Sequence, residues 1–172
     1  MKKNIFMFLM AVMVLFSACA AGIREERAAQ ESGANNKVSN TGSVMSNVSS
    51  LVGHDWKLIE VYIGGLNTQF TRSSLPNELR DCFTLKFDGQ MASGTGAPNL
   101  YSAPYTVGDD QTIRIMMMRS TLMASLFEPE NLKEHDFFTY VQNSTSWRIA
   151  GGQMELYSKT ADDREVRMVF GL

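Results

Sequence analysis

The sequence predicts a mainly β fold of the β-rich α+β kind: an antiparallel sheet, curled or forming a partly open barrel, with one short helix over about residues 129–142. Three observations lead there. Short runs alternate apolar and polar residues, as strands with one buried face require. Pairs of Gly or Asp punctuate those runs as turn signals. One segment alone, late in the chain, spaces its apolar residues as a helix does.

The elements follow in order from about Leu51. Trp56 to Ile63 is rich in strand-forming residues, apolar at 56 and 58 and then at 59, 61 and 63. That change of phase predicts a bulge, because one inserted residue swaps the faces of a strand. Gly64-Gly65 ends the run. Phe83, Leu85 and Phe87 alternate, and Asp88-Gly89 follows as a hairpin signal. Met91 and Ser93 lead into Gly94 to Asn99, read as a loop or bulge whose glycines serve unusual backbone angles. Tyr105 and Val107 form a short strand, Asp109-Asp110 a turn, and Ile113, Ile115 and Met117 another strand.

Pro129 suits a first helical turn, with Glu128 and Glu130 placed favourably at a helix N-terminus. Leu132, Phe137, Tyr140 and Val141 then supply one apolar face, and Asn143-Ser144 closes the helix. Trp147 and Ile149, Met154 and Leu156, and finally Val166, Met168 and Phe170 read as a terminal meander. It turns at Gly151-Gly152 and Asp162-Asp163. A meander of this kind limits its exposed edges by curling or closing.

Ahead of the domain the chain opens Met1-Lys2-Lys3, runs apolar from Ile5 to Phe16, and reads Ser17-Ala18-Cys19. A basic start, a short apolar run and small residues at a cleavage point make a secretory signal peptide over residues 1–18. A membrane-spanning helix needs about 20 apolar residues, and this run is shorter. The small pair ending on cysteine resembles the lipobox of bacterial lipoproteins, although Phe16 stands where leucine is commonest. Cys19 is therefore the expected lipidation site and the first residue of the mature chain. Ala20 lacks the aspartate that retains lipoproteins at the inner membrane of enteric bacteria. The expected location is the cell envelope, on the periplasmic face of the outer membrane rather than at the inner membrane or cell surface.

Residues 19–50 are rich in Ala, Ser, Asn, Gly, Glu and Gln, without aromatics. They cannot bury enough apolar surface to offset ordering entropy and read as a flexible tether. A coil of about 30 residues would reach roughly 30 Å.

Composition narrows the function further. The chain has 172 residues, a net charge of −2 and 20% charged residues, so no excess of basic charge argues for a nucleic-acid partner or for an anionic membrane surface. Of its 2 cysteines, lipidation would consume Cys19 and leave Cys82 unpaired. Cys82 reads as a small core residue, with Arg80 close enough in sequence to keep a reactive thiol in view.

No catalytic or metal constellation emerges. Gly94-x-Gly96 lacks the third glycine and following helix of a dinucleotide site, with Asn99 standing instead. His54-Asp55 and Glu134-His135-Asp136 offer too few convergent ligands for a metal, and no cofactor is expected. Asp109-Asp110 and Asp162-Asp163 read as turns rather than acid–base pairs. Asn143-Ser144-Thr145 matches a glycosylation acceptor, which a bacterial lipoprotein would not use. The apolar concentration at Met116, Met117, Met118, Leu122, Met123, Leu126 and Phe127 reads mostly as core. Its alternative reading is an adaptable groove for apolar ligands.

Gly53-His54-Asp55-Trp56-Lys57-Leu58, Phe83-Thr84-Leu85-Lys86-Phe87, the stretch Gly94 to Tyr105 and Thr121-Leu122-Met123-Ala124-Ser125 occur in that order. Together they resemble a META domain, the module of the bacterial heat-shock-associated lipoproteins of HslJ type, across residues 51–172. The resemblance implies a strand-dominated, barrel-like domain with a helix. It also implies a role in envelope stress, drug tolerance or virulence, and no defined reaction. Many family members carry cysteine where this chain has Pro98 and Ser125. A disulfide between those segments is therefore not expected here.

The function expected is a non-enzymatic, membrane-anchored envelope lipoprotein acting as a binding or assembly module. It would be a monomer that meets an apolar ligand or an envelope protein partner. Two alternatives stand beside it. One is a surface-exposed lipoprotein that contacts a host. The other, disfavoured, is an envelope hydrolase assembled from His54, Asp55 and Ser125.

Overall fold

The computed structural model describes residues 48–65, 67–124 and 128–172. The signal segment, Cys19 and most of the tether lie outside these residues, as do Ser125, Leu126 and Phe127. The last tether residues that are described, from Val48, belong to a helical turn that runs through Leu51. Leu51 is fully buried and its carbonyl accepts the indole N–H of Trp56 at 3.1 Å. The described part of the expected tether therefore packs, through Leu51, against the start of the barrel.

Ten strands follow: β1 Asp55–Ile63, β2 Thr68–Thr71, β3 Thr84–Asp88, β4 Met91–Thr95, β5 Leu100–Val107, β6 Ile113–Ile115, β7 Arg119–Ser120, β8 Ser146–Ala150, β9 Gln153–Lys159 and β10 Glu165–Gly171. One helix, α1 Glu134–Gln142, lies between β7 and β8. The strands form one antiparallel sheet in the order β6-β5-β4-β3-β1-β10-β9-β8, with β2 added to β1 and β7 to β5. Its two ends meet at a single bridge between Thr112 and Ser146, where the Ile113 N–H donates to the Thr145 carbonyl at 3.0 Å. The result is a nearly closed barrel with one unsealed seam.

The expected bulge is in β1. Its register against β10 shifts between Leu58 and Glu60, so Trp56, Leu58 and Val61 all face the core. At the same point β1 exchanges neighbours, pairing with β3 before the bulge and with β2 after it. Arg72 caps the backbone carbonyls gathered around this branch, including that of Phe83, which also accepts the Leu58 N–H at 2.9 Å. Its guanidinium donates to the carbonyls of Leu58 at 2.5 Å, Arg80 at 2.5 Å, Cys82 at 2.7 Å and Phe83 at 3.1 Å.

The core is aromatic. Phe70 meets Phe83 edge-on at 5.6 Å, and Phe83 meets Phe137 at 5.1 Å. Helix α1 buries Phe137, Tyr140 and Val141, spaced to share one face. Complete burial of a ring such as Phe137 contributes about 2–3 kcal/mol.

Three expectations need correction. The helix starts at Glu134 rather than at Pro129. Leu132 is buried ahead of it and the Asn131 carbonyl accepts from Gln69, so tertiary contacts hold residues 131–132 outside a helical path. Strand β6 ends at Ile115, leaving Met117 outside it and 82% exposed. Neither Gly94 nor Gly96 has a left-handed backbone; both are required by close packing. A Cβ on Gly94 would lie 2.0 Å from the Thr84 carbonyl oxygen, and one on Gly96 would lie 2.5 Å from the Glu134 carboxylate.

Candidate binding surface

Strand β5 sets the geometry of the surface. Its odd positions Tyr101, Ala103 and Tyr105 are buried in the barrel, so Leu100, Ser102, Pro104 and Thr106 face outward. Met91 of β4 pairs with Pro104, and Arg119 of β7 pairs with Ser102. The Met116 N–H donates to the Pro104 carbonyl at 2.8 Å, which places Met116 opposite Pro104 on the same outer face. Met91, Ser102, Pro104, Met116, Met117 and Arg119 line a groove of about 400 Å³.

Apolar exposure continues beyond the groove. Leu122 is 98% exposed, Leu100 56% and Met123 52%. The expectation that the methionine run is mostly core is therefore wrong for Met116, Met117, Leu122 and Met123. Met118 is half-buried against the core. The reason is geometric. Edge strand β6 spends its two inward positions on Ile113 and Ile115. The chain then continues along the same edge of β5 as β7, its register slipping by one residue between Met116 and Arg119. Met117 therefore lies in a bulge and is exposed.

The far end of this edge segment, at Thr121 and Met123, is pinned by a polar latch. Asn99 is nine-tenths buried; its side-chain carbonyl accepts from the Thr121 hydroxyl at 2.8 Å and the Met123 N–H at 2.7 Å. Its amide donates to the Met123 carbonyl at 3.1 Å and to Glu134 at 2.6 Å. The Glu134 carboxylate also accepts the N–H groups of Ala97 at 2.5 Å and Asn99 at 2.6 Å. The helix thus presents an acid in its first turn to a loop across the cis Ala97–Pro98 bond. No local pattern could have revealed the pairing, because its partners are 35 residues apart.

The opposite outer face is polar, and sequence reasoning missed it. Tyr62, Arg167 and Tyr157 stand side by side on β1, β10 and β9, and Glu155 stands opposite Arg148. Glu155 accepts from Arg148 at 2.5 Å, from Arg167 at 3.1 Å and from the Tyr157 hydroxyl. Burial alone would raise the Glu155 carboxyl. The hydrogen bonds from Tyr157 and Arg148 and the charges of Arg148 and Arg167 outweigh it, holding the group below the ordinary carboxylate range. Arg167 also lies over the Tyr62 ring, 4.2 Å from its centroid. The signal in the sequence was the period-two placement of Glu155 and Tyr157 among apolar residues.

The other candidates are not brought together. His54 packs edge-on against Trp56 at 5.4 Å, and Asp55 pairs with Lys86 at 3.1 Å. His135 is exposed on α1. Among the described residues no group of three His, Cys, Asp or Glu side chains is placed to hold a metal ion. Asp109-Asp110 and Asp162-Asp163 occupy turns, the second tied to Thr160, Arg164 and Lys159. Cys82 is buried; burial raises its thiol, and the nearby Arg72 charge only partly opposes this.

The sequence model of the META domain matches residues 49–169. The chain belongs to the META domain family. The resemblance read from Trp56, Phe83 to Phe87 and the Gly94 to Tyr105 stretch is thereby confirmed. No curated protein sequence matches this META chain. Among solved structures it is similar to a protein from Burkholderia xenovorans determined by NMR, with 14% identity and a TM-score of 0.50. That likeness covers 89% of this chain and 99% of the other. A DUF4847 family protein from Bacteroides vulgatus aligns with 11% identity and a TM-score of 0.47, over 69% of this chain and 92% of the other. At such identities the Burkholderia likeness concerns the fold alone.

Proposed function

We propose that this META domain is the non-enzymatic binding module of a lipid-anchored envelope protein, and that the outer face of β4, β5 and β7 is its binding surface. The observation that carries the reading is the exposure of Met117 in the groove that it lines with Met91, Pro104 and Met116. Exposed apolar patches beyond scattered single residues mark interaction sites, and unbranched methionines adapt to varied apolar partners. The anchor rests on the Ser17-Ala18-Cys19 lipobox. The membrane reading extends to the periplasmic face of the outer membrane and to a role in envelope stress of the HslJ kind.

Two experiments test this. Cys19→Ser, or globomycin treatment, is expected to leave an unprocessed precursor or release the domain from membranes. Unchanged processing and fractionation would refute the anchor. Site-specific photocrosslinking from position 117 or 122 in cells is expected to capture an envelope component, whereas crosslinks confined to position 57 on the far face would refute the surface.

A further inference from the structure

We infer that the outer face of β4, β5 and β7 docks on an anionic phospholipid bilayer. This deepens the lipid-anchored binding reading and rests on it, by naming the membrane itself as what the exposed methionines meet.

The overall charge of −2 does not favour an anionic surface, but the local charge around this groove does. Arg114 stands opposite Thr106 and Arg119 opposite Ser102, so both point outward from β6 and β7 and flank the groove. Both are exposed, and among the described residues neither takes part in an ion pair. On the opposite face Arg148 and Arg167 share Glu155. Asp88, opposite Met91 at the end of the β3–β4 hairpin, adds an acid at the rim of the groove. Two unpaired guanidinium groups around a patch of Met and Leu match an interface of phosphate headgroups over acyl chains. Interfacial binding of this kind combines buried apolar area with attraction to anionic lipid.

The projecting residues fit such an interface. Met117 and Leu122 are among the most exposed apolar side chains described. Met117 projects from the bulge between β6 and β7 on the edge of β5, and Leu122 lies in the same segment just beyond the end of β7. The Asn99 and Glu134 latch holds that segment to the barrel, so its side chains are presented without first having to be ordered. An anchor at Cys19 would keep the domain near the bilayer without orienting it, and weak docking would then suffice to select this face.

Hydrogen–deuterium exchange of the full chain tests the inference, because it reads residues 115–123 separately from any anchor. The acylated chain and the unacylated Cys19→Ser chain are each compared in phosphatidylglycerol-containing and pure phosphatidylcholine vesicles. Exchange at 115–123 is expected to slow several-fold with the anionic vesicles, in the acylated chain at least. The double variant Arg114→Gln/Arg119→Gln is expected to weaken vesicle affinity roughly 25-fold, about fivefold per cation. Its unfolding midpoint should stay unchanged, since both side chains are exposed. Equal exchange at 115–123 in both kinds of vesicle would overturn the inference, as would no change on adding vesicles. Failure of the anchor shows separately, as acylated and Cys19→Ser chains that fractionate alike.

Discussion

Glu134 and Asn99 form a two-point contact: one carboxylate oxygen accepts the Asn99 backbone N–H and the other its side-chain amide, each at 2.6 Å. The contact joins the start of α1 to the loop after β4, and through Thr121 and Met123 to the segment that carries the methionines. Glu134→Ala leaves the donors of Ala97 and Asn99 unpaired, and hydrogen bonds to charged groups contribute about 1.5–3 kcal/mol. We expect a loss of about 2–3 kcal/mol in urea unfolding. Faster amide exchange at Met123 than at the β9–β10 ladder should accompany it. A uniform loss across the barrel would contradict the latch.

Gly94 and Gly151 are both glycines for different reasons, and alanine separates them. The Cβ of Gly94→Ala would collide with the Thr84 carbonyl, which already accepts the Tyr101 hydroxyl at 2.7 Å. This should cost about 3 kcal/mol or more, because backbone cannot yield as a side chain can. Gly151 has open space and φ +60, so Gly151→Ala should cost about 1 kcal/mol of backbone strain. Thermal unfolding of the two variants measures the contrast.

Stability should fall in acid partly through Glu155. Its folded value is depressed, so its contribution is present above the unfolded carboxyl value of about 4.3. It is lost as pH falls through the lower folded value. Chemical unfolding between neutral pH and pH of about 3 is expected to show a smaller loss for Glu155→Gln than for the native chain. Parallel curves would remove Glu155 from the acid response.

Two buried tyrosines should respond oppositely to loss of the hydroxyl. Tyr101 donates to the Thr84 carbonyl, so Tyr101→Phe should cost about 1 kcal/mol. The Tyr105 hydroxyl has no hydrogen-bond partner among the described residues, and Tyr105→Phe should be neutral or slightly stabilising. Denaturant midpoints of both variants decide the point. A comparable loss in each would show that Tyr105 is hydrogen-bonded in solution.

Much of the barrel was legible because strand signals are local. The alternation of Phe83, Leu85 and Phe87 requires only that one face be buried, and β3 follows it. The phase change after Leu58 located the β1 bulge, since a period of two leaves no other account of the pattern. Strand β2 at Thr68–Thr71 carries a single buried apolar residue, Phe70, too little for a periodic signal. The helix start was misplaced because Pro129 and its flanking acids are sound N-terminal chemistry. The buried Leu132 and the Glu134 latch override it.

By itself the sequence determined the class of fold, the positions of most strands and their turns, and the kinship to the META family. Each depends on residues near one another in the chain, where periodicity and turn chemistry act. Only the tertiary structure decided which apolar residues are core and which are surface. Ile115 and Met117 are equivalent in pattern, yet the first is buried and the second is exposed. The difference arises where β6 ends and the edge strand slips by one residue before β7, which turns Met117 out of the alternation. Hydropathy records what a side chain prefers; the register of the long-range pairing with β5 sets which of those preferences the barrel can satisfy.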